Sequence, residues 1–299
     1  MCLVIMLRGL KGFAEFISVE RGLMVFAIAV GAAFIIMNSV IWSQAAFLGS
    51  VVFLGWSGVD ALNNVYDKEF DDLSHPSRAE FTKMLGGMAL PIAIGLCALS
   101  VLSAFTVSPA VVFWVLAGIF FGVLYSVPPF RLRQTLWKPV VNFTVGAVPI
   151  LIVSAFSGVS HIGVLILVIV IGVTTAVNSL WEDLADYSAD RISGAKTVPV
   201  VFGPRNGLLV TVALGYGLLP LMLLVGVMFS LPVIFYVVLF GLAFFVSIRL
   251  VQNRETLLGY DVQRLLRLGD TLAGDFVIVA IIQTLNLMLS GYLKVSPIL

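Results

Sequence analysis

Hydrophobic and polar positions are segregated into long blocks along this chain. Residues 22–59, 84–130, 139–181, 206–248 and 276–293 contain no Asp, Glu, Lys or Arg, giving apolar tracts of 38, 47, 43, 43 and 18 residues. A helix needs about 20 residues to cross roughly 30 Å of hydrocarbon. Each of the first four tracts therefore holds two crossings and a turn, and the last holds one. Turn signals fall near the required midpoints, at Asn38-Ser39, Ser108-Pro109, Ser157 to His161 and Ser230-Leu231-Pro232. The pattern predicts an all-α integral membrane protein of nine transmembrane helices, bundled around a central cavity. Residues 1–299 read as a single polytopic domain, with 1–21 an amphipathic interfacial helix leading into the first span.

Composition agrees: 60% of residues are hydrophobic and 11% charged, against about 25% charged in soluble domains, and mean hydropathy is +1.11. The segments between tract pairs carry 16 of the 17 Lys and Arg, all but Lys294, and all 16 acidic residues. Paired crossings bring those segments to one face, which the positive-inside rule makes cytoplasmic. The expectation is a multi-pass protein of the cell membrane with its N-terminus and cavity mouth cytoplasmic and its C-terminus on the opposite side. Net charge of +1 says nothing about nucleic acid, no basic tract suggests it, and none is expected as a partner. Cys2 and Cys97 form neither a disulfide framework nor a metal-ligand spacing. Cys97 reads as a small core residue.

Carboxylates gather in two places. Asn64, Asp67 and Asp71, with Asp60 one turn earlier, are spaced to share a helix face, and Asp183, Asp186 and Asp190 repeat the spacing. Hard oxygen donors suit Mg²⁺, which retains waters and shares phosphate oxygens. Two such stripes repel unless cations intervene, and local basic residues look too few to neutralise them. Between the stripes, Tyr125-Ser-Val-Pro-Pro-Phe-Arg-Leu-Arg133 and then Lys138 supply cations and no acid. Arg131, Arg133, Arg78 and Lys196 either hold phosphate oxygens or follow from cytoplasmic topology alone. Acidic stripes, a basic loop and an apolar sleeve describe a clamp for a diphosphate with a hydrocarbon tail. His75 and His161 are isolated and read as bland. Asn142 and Asn178 either line the pocket or bond a neighbouring helix, and Gln283 and Asn286 read as inter-helix hydrogen bonds. Asp60, Asp72 and Glu182 flank the stripes as supporting residues. One-sided charge argues against a cation carrier; a non-catalytic lipid-binding protein is the other alternative.

These residues resemble the signatures of the UbiA superfamily of intramembrane prenyltransferases. Asn63-Asn64-x-x-Asp67-x-x-x-Asp71 is similar to its first motif, with Asn64 where that motif has Asp. Asp183, Asp186 and Asp190 match the second, with Ala189 replacing a glycine. Tyr125 to Arg131 and Lys196 to Gly203 match two further segments. After Pro76-Ser-Arg78 the chain departs, reading Ala79-Glu-Phe-Thr. The resemblance implies transfer of an isoprenyl group from a polyprenyl diphosphate, such as geranyl or geranylgeranyl diphosphate, to a lipophilic or aromatic acceptor, releasing diphosphate. It implies Mg²⁺ held by Asn64, Asp67, Asp71, Asp183, Asp186 and Asp190, with Asn63, Arg78, Arg131, Arg133 and Lys196 toward the diphosphate. Tyr125 would face the allylic cation. An aromatic quinone precursor is the first acceptor expected; geranylgeranylglyceryl phosphate of archaeal-type lipid synthesis is the alternative.

Overall fold

The computed structural model describes residues 2–37, 41–68 and 76–295. All regular structure among them is helical. In chain order the helices are α1 (Cys2–Phe16), α2 (Val19–Ile36), α3 (Trp42–Asp67), α4 (Pro76–Leu85), α5 (Ala89–Phe105), α6 (Pro109–Ser126), α7 (Lys138–Ser157), α8 (Ile162–Ala185), α9 (Tyr187–Ser193), α10 (Val198–Phe202), α11 (Pro204–Met228), α12 (Val233–Gln252), α13 (Arg254–Leu258) and α14 (Val262–Val295). Among the described residues, nine helical segments are long and apolar enough to cross a membrane: α2, α3, α4 joined to α5, α6, α7, α8, α11, α12 and α14. The chain is a multi-span membrane bundle.

Three of the predicted turns fall where their residues dictate. Ser108 caps α6 by accepting the Val111 N–H, with Pro109 in the first turn; His161 caps α8 by accepting the Gly163 N–H through Nδ1; and Pro232 precedes α12. Asn38-Ser39 lies outside the described residues. One difference is the last helix. It begins at Val262 rather than near 276, because Arg264, Arg267, Asp270 and Asp275 continue the helix toward the polar face instead of ending it.

Burial ranks the helices. More than half of the apolar stretch of α2, α3 and α8 is covered by protein, against 11% for α12. Lipid tails are as apolar as leucine, so helices associate here through close packing at small residues. Gly31 on α2 meets the Met288 backbone, and Gly291 on α14 meets Ile35. On α3, Gly58 lies against Cys97 of α5, which packs as a half-buried core residue.

The α7–α8 hairpin is the contact that matters for function. A Cβ built on Gly146 would stand 2.5 Å from the Ile171 carbonyl oxygen, so only glycine permits this approach. One turn nearer the polar face, Thr175 Oγ1 donates to the Asn142 carbonyl at 2.7 Å. Because the helices are antiparallel, one further turn along α7 sets Lys138 where its long side chain reaches Asp183, two turns beyond Thr175 on α8. An alanine at Gly146 would push the helices apart and with them that pair.

At the other end of the bundle, Gln283 and Asn286 are buried on α14, and Asn286 Nδ2 donates to the Phe235 carbonyl on α12 at 3.1 Å. This bears out their reading as inter-helix bonds.

Candidate functional site

The first acidic motif occupies the last two turns of α3. Asn64 and Asp67 are fully buried and Asp60 nearly so. Asp67 receives Arg131 Nη2 at 2.8 Å and is ion-paired with Arg133. Arg133 also approaches Asn63 Oδ1 at 3.5 Å, and that oxygen accepts from Ser126 Oγ at 3.0 Å. Asn64 Nδ2 donates to the Phe16 carbonyl at 2.7 Å, where α1 meets α2. The residue that shares a cation with Asp67 is therefore Asn63, not Asn64. Asp71, like Asp72 and His75, lies outside the described residues.

The basic segment is folded back onto α3. After Pro128-Pro129, Arg131 adopts a left-handed backbone (φ 43°) that costs a side-chain-bearing residue about 1 kcal/mol. Its side-chain bonds to Asp67 and to the Tyr66 carbonyl at 3.3 Å offset that cost. A single 3-10 turn over Leu132–Gln134 then presents Arg133 on the same side.

The second motif is divided rather than continuous. α8 ends at Ala185, Asp186 forms its cap, and Asp190 belongs to the short α9. Asp183, fully buried, accepts from Lys138 Nζ at 2.6 Å. Asp190 accepts from Thr197 Oγ1 at 2.9 Å, and Asp186 reaches solvent at the cap. The Lys196 N–H donates to the Gln134 carbonyl at 2.8 Å, tying the tail of the second motif to the basic segment. The Lys196 side chain is exposed. Arg78 lies half-buried in the first turn of α4. Tyr125, near the end of α6, shares a hydrogen bond with Asn142 and lies within electrostatic reach of Lys138, Glu182 and Arg21.

Electrostatics join the two motifs. Burial lowers the Arg133 pKa, while Asp190, Asp186, Glu182 and Asp60 all act to raise it, so one guanidinium sits in the field of both acidic stretches. Desolvation raises the Asp186 pKa although its carboxyl touches solvent. Asp190 and Glu182 add to the rise, and Lys138 and Arg133 oppose it. The expectation that local cations are too few is corrected here. Arg131 and Arg133 cover Asp67, and Lys138 covers Asp183. Among the described residues no three His, Cys, Asp or Glu side chains gather closely enough to hold a metal. The donor chemistry nevertheless fits Mg²⁺: Asp183 Oδ2 is buried without a hydrogen-bond donor, and the remaining groups are carboxylate and amide oxygens.

Sequence reasoning missed a third set of polar contacts. Glu182 accepts from Asn178 Nδ2 at 3.1 Å and lies 3.6 Å from Arg21 and 3.8 Å from Lys138. A signal existed. Arg21, Lys138 and Glu182 each directly abut the end of an apolar tract on the charged face, which sets them at one depth.

The UbiA prenyltransferase family model matches residues 23–259. Two plant proteins are similar in sequence. Humulus lupulus 2-acyl-4-prenylphloroglucinol 6-prenyltransferase is 27% identical over 221 residues, 68% of this chain and 53% of its own. Arabidopsis thaliana chlorophyll synthase is 23% identical over 189 residues, 55% of this chain and 47% of its own. The chain thus spans about half the length of these curated relatives. Among solved structures, one of digeranylgeranylglyceryl phosphate synthase superposes with TM-score 0.71 at 15% identity, covering 95% of this chain and 99% of that one. A UbiA homologue from Archaeoglobus fulgidus bound to GPP and Mg²⁺ gives 0.68 at 18% identity over the same shares, and both show the shared fold. With a family model matching residues 23–259, most of its length, this chain belongs to the UbiA prenyltransferase family.

Proposed function

We propose that this chain is an Mg²⁺-dependent intramembrane prenyltransferase that moves an isoprenyl group from a polyprenyl diphosphate to an aromatic acceptor. The observation that carries the reading is Arg133, one guanidinium paired with Asp67 of the first motif and lying in the field of Asp186 and Asp190 of the second. Both motifs thereby address one ligand. In this reading Asn64, Asp67, Asp71, Asp183, Asp186 and Asp190 would hold Mg²⁺, the buried Asn64 Oδ1 carrying no hydrogen bond, with Asn63 toward the diphosphate. The bound metal supplies Lewis-acid neutralisation of the leaving diphosphate. Arg131 and Arg133 transfer from Asp67 to phosphate oxygens, with Arg78 and Lys196 further candidates at the mouth. The C1–O bond of the donor breaks with its electron pair leaving on diphosphate. A ring carbon of the acceptor then bonds to C1, and its proton passes to solvent. Tyr125 turns an electron-rich ring toward the developing allylic charge, and the apolar helices exclude water from it.

The phloroglucinol ring acted on by the Humulus lupulus relative supports an aromatic acceptor. The same reading has the cavity mouth and N-terminus cytoplasmic, supported by the 16 of 17 Lys and Arg on that face. A reporter fused to the C-terminus is expected on the opposite side; a cytoplasmic signal would contradict the topology. The purified protein with geranylgeranyl diphosphate, Mg²⁺ and a phenolic acceptor is expected to release diphosphate. A chelator should stop the release and added Mg²⁺ restore it. Absence of release with every acceptor and chain length tried would sink the reading.

A further inference from the structure

Beside the motifs lies a charged group that holding a metal diphosphate does not require. Arg21 enters at the start of α2, where Gly22 packs against Phe53 and Ser57 of α3. It lies within reach of Asp60 and Tyr125 and pairs with Glu182 of α8. Their side chains stay 53% and 34% accessible, so the pair faces open space rather than packed protein. Asn178 fixes one Glu182 oxygen and Lys138 approaches the other. Counted together, Arg21 and Lys138 face the carboxylates of Asp60, Glu182 and Asp183, two cations against three anions.

In the prenyl-transfer reading, an acceptor that approaches beside Tyr125 and Asp183 would meet this group. The cations that contact Glu182, Arg21 and Lys138, already face carboxylates of the chain itself. Bringing another anion in would set like charges side by side in a medium that screens them poorly. A hydroxyl, in contrast, can donate to the accessible carboxylate of Glu182. We propose, resting on the prenyl-transfer reading, that Glu182 is a specificity-determining residue. By occupying Arg21 it makes the acceptor subsite select a neutral, hydroxyl-bearing acceptor and refuse one carrying a carboxylate. This is selection through a repulsive element built beside an attractive one.

The test uses the full-length protein in detergent with Mg²⁺ and an unreactive geranylgeranyl thiolodiphosphate. Equilibrium binding is measured for two matched acceptors, neutral 4-hydroxybenzamide and anionic 4-hydroxybenzoate. The amide is expected to bind at least about tenfold more tightly. Glu182→Gln frees Arg21 and should reduce that preference by about tenfold, whereas Arg21→Gln should increase it. A folding defect cannot move the ratio in opposite directions. Equal or tighter binding of the benzoate by the unaltered protein, an unchanged ratio in Glu182→Gln, or binding of neither acceptor would overturn the inference while leaving donor binding intact. Failure of the thiolodiphosphate itself to bind with Mg²⁺ would remove the prenyl-transfer reading and this inference with it.

Discussion

Changing Asp67 to asparagine is expected to lower diphosphate release by at least about 10²–10³-fold, while the protein still extracts from membranes as a single folded species. The side chain is fully buried at the end of α3 and keeps its shape in the variant, so packing is undisturbed. What is lost is the negative charge. Arg131 would keep an amide oxygen to bond, and Arg133 lies beside Asn63 Oδ1. With 21% and 29% of their side chains accessible, both guanidiniums also reach water, so the stability cost stays below about 3 kcal/mol. Catalysis has no such substitute, because an amide cannot replace a carboxylate against a metal ion. Diphosphate release and size-exclusion behaviour, measured on the same preparation, check this. Retention of full turnover by the asparagine variant would rule out the metal clamp.

The second large effect is on stability. Lys138→Met is expected to destabilise the protein by about 3–5 kcal/mol, because it leaves the carboxyl of Asp183 buried without its cation. Asp183 is completely buried, its Oδ1 takes the lysine at 2.6 Å, and Oδ2 has no hydrogen-bond donor. Replacing both residues, Lys138→Met with Asp183→Asn, should recover most of the loss, since no buried charge is then left alone. Thermal unfolding in detergent reads both quantities. If the single variant melts with the unaltered protein, the pair does not carry the weight assigned to it. Added Mg²⁺ should narrow the gap in the single variant and leave the double variant unmoved, which separates a ligand role for Asp183 from a merely structural one.

Helix count and pairing were legible because a membrane demands long uncharged tracts, and Ser108-Pro109 or Pro232 can only interrupt them. The acidic motifs were legible as clusters. Their geometry was less so. Residues three and four apart both lie on one helix face, so spacing alone could not choose between Asn63 and Asn64 as the companion of Asp67. A contact 48 residues away holds the Asn64 amide nitrogen at the Phe16 carbonyl, while Asn63 Oδ1 is the oxygen that approaches Arg133 beside Asp67. Likewise, three-and-four spacing suggested one helix for Asp183, Asp186 and Asp190, but the backbone at Asp186 (φ −86°, ψ 3°) ends α8 there. The partner of Lys138 depends on how closely α7 approaches α8 at Gly146, a quantity set by packing in space rather than by any local pattern.

Arg131 and Arg133 resting on Asp67 give the polar mouth counter-ions tethered to its own backbone. A free divalent ion arriving alone would have to evict two guanidiniums from their carboxylate, and a bare phosphate would strand the aspartate. A metal diphosphate satisfies both parties in one exchange, trading cation for cation and oxygen for oxygen. In the prenyl-transfer reading this would guard the protein against the separate components and keep it for the assembled pair.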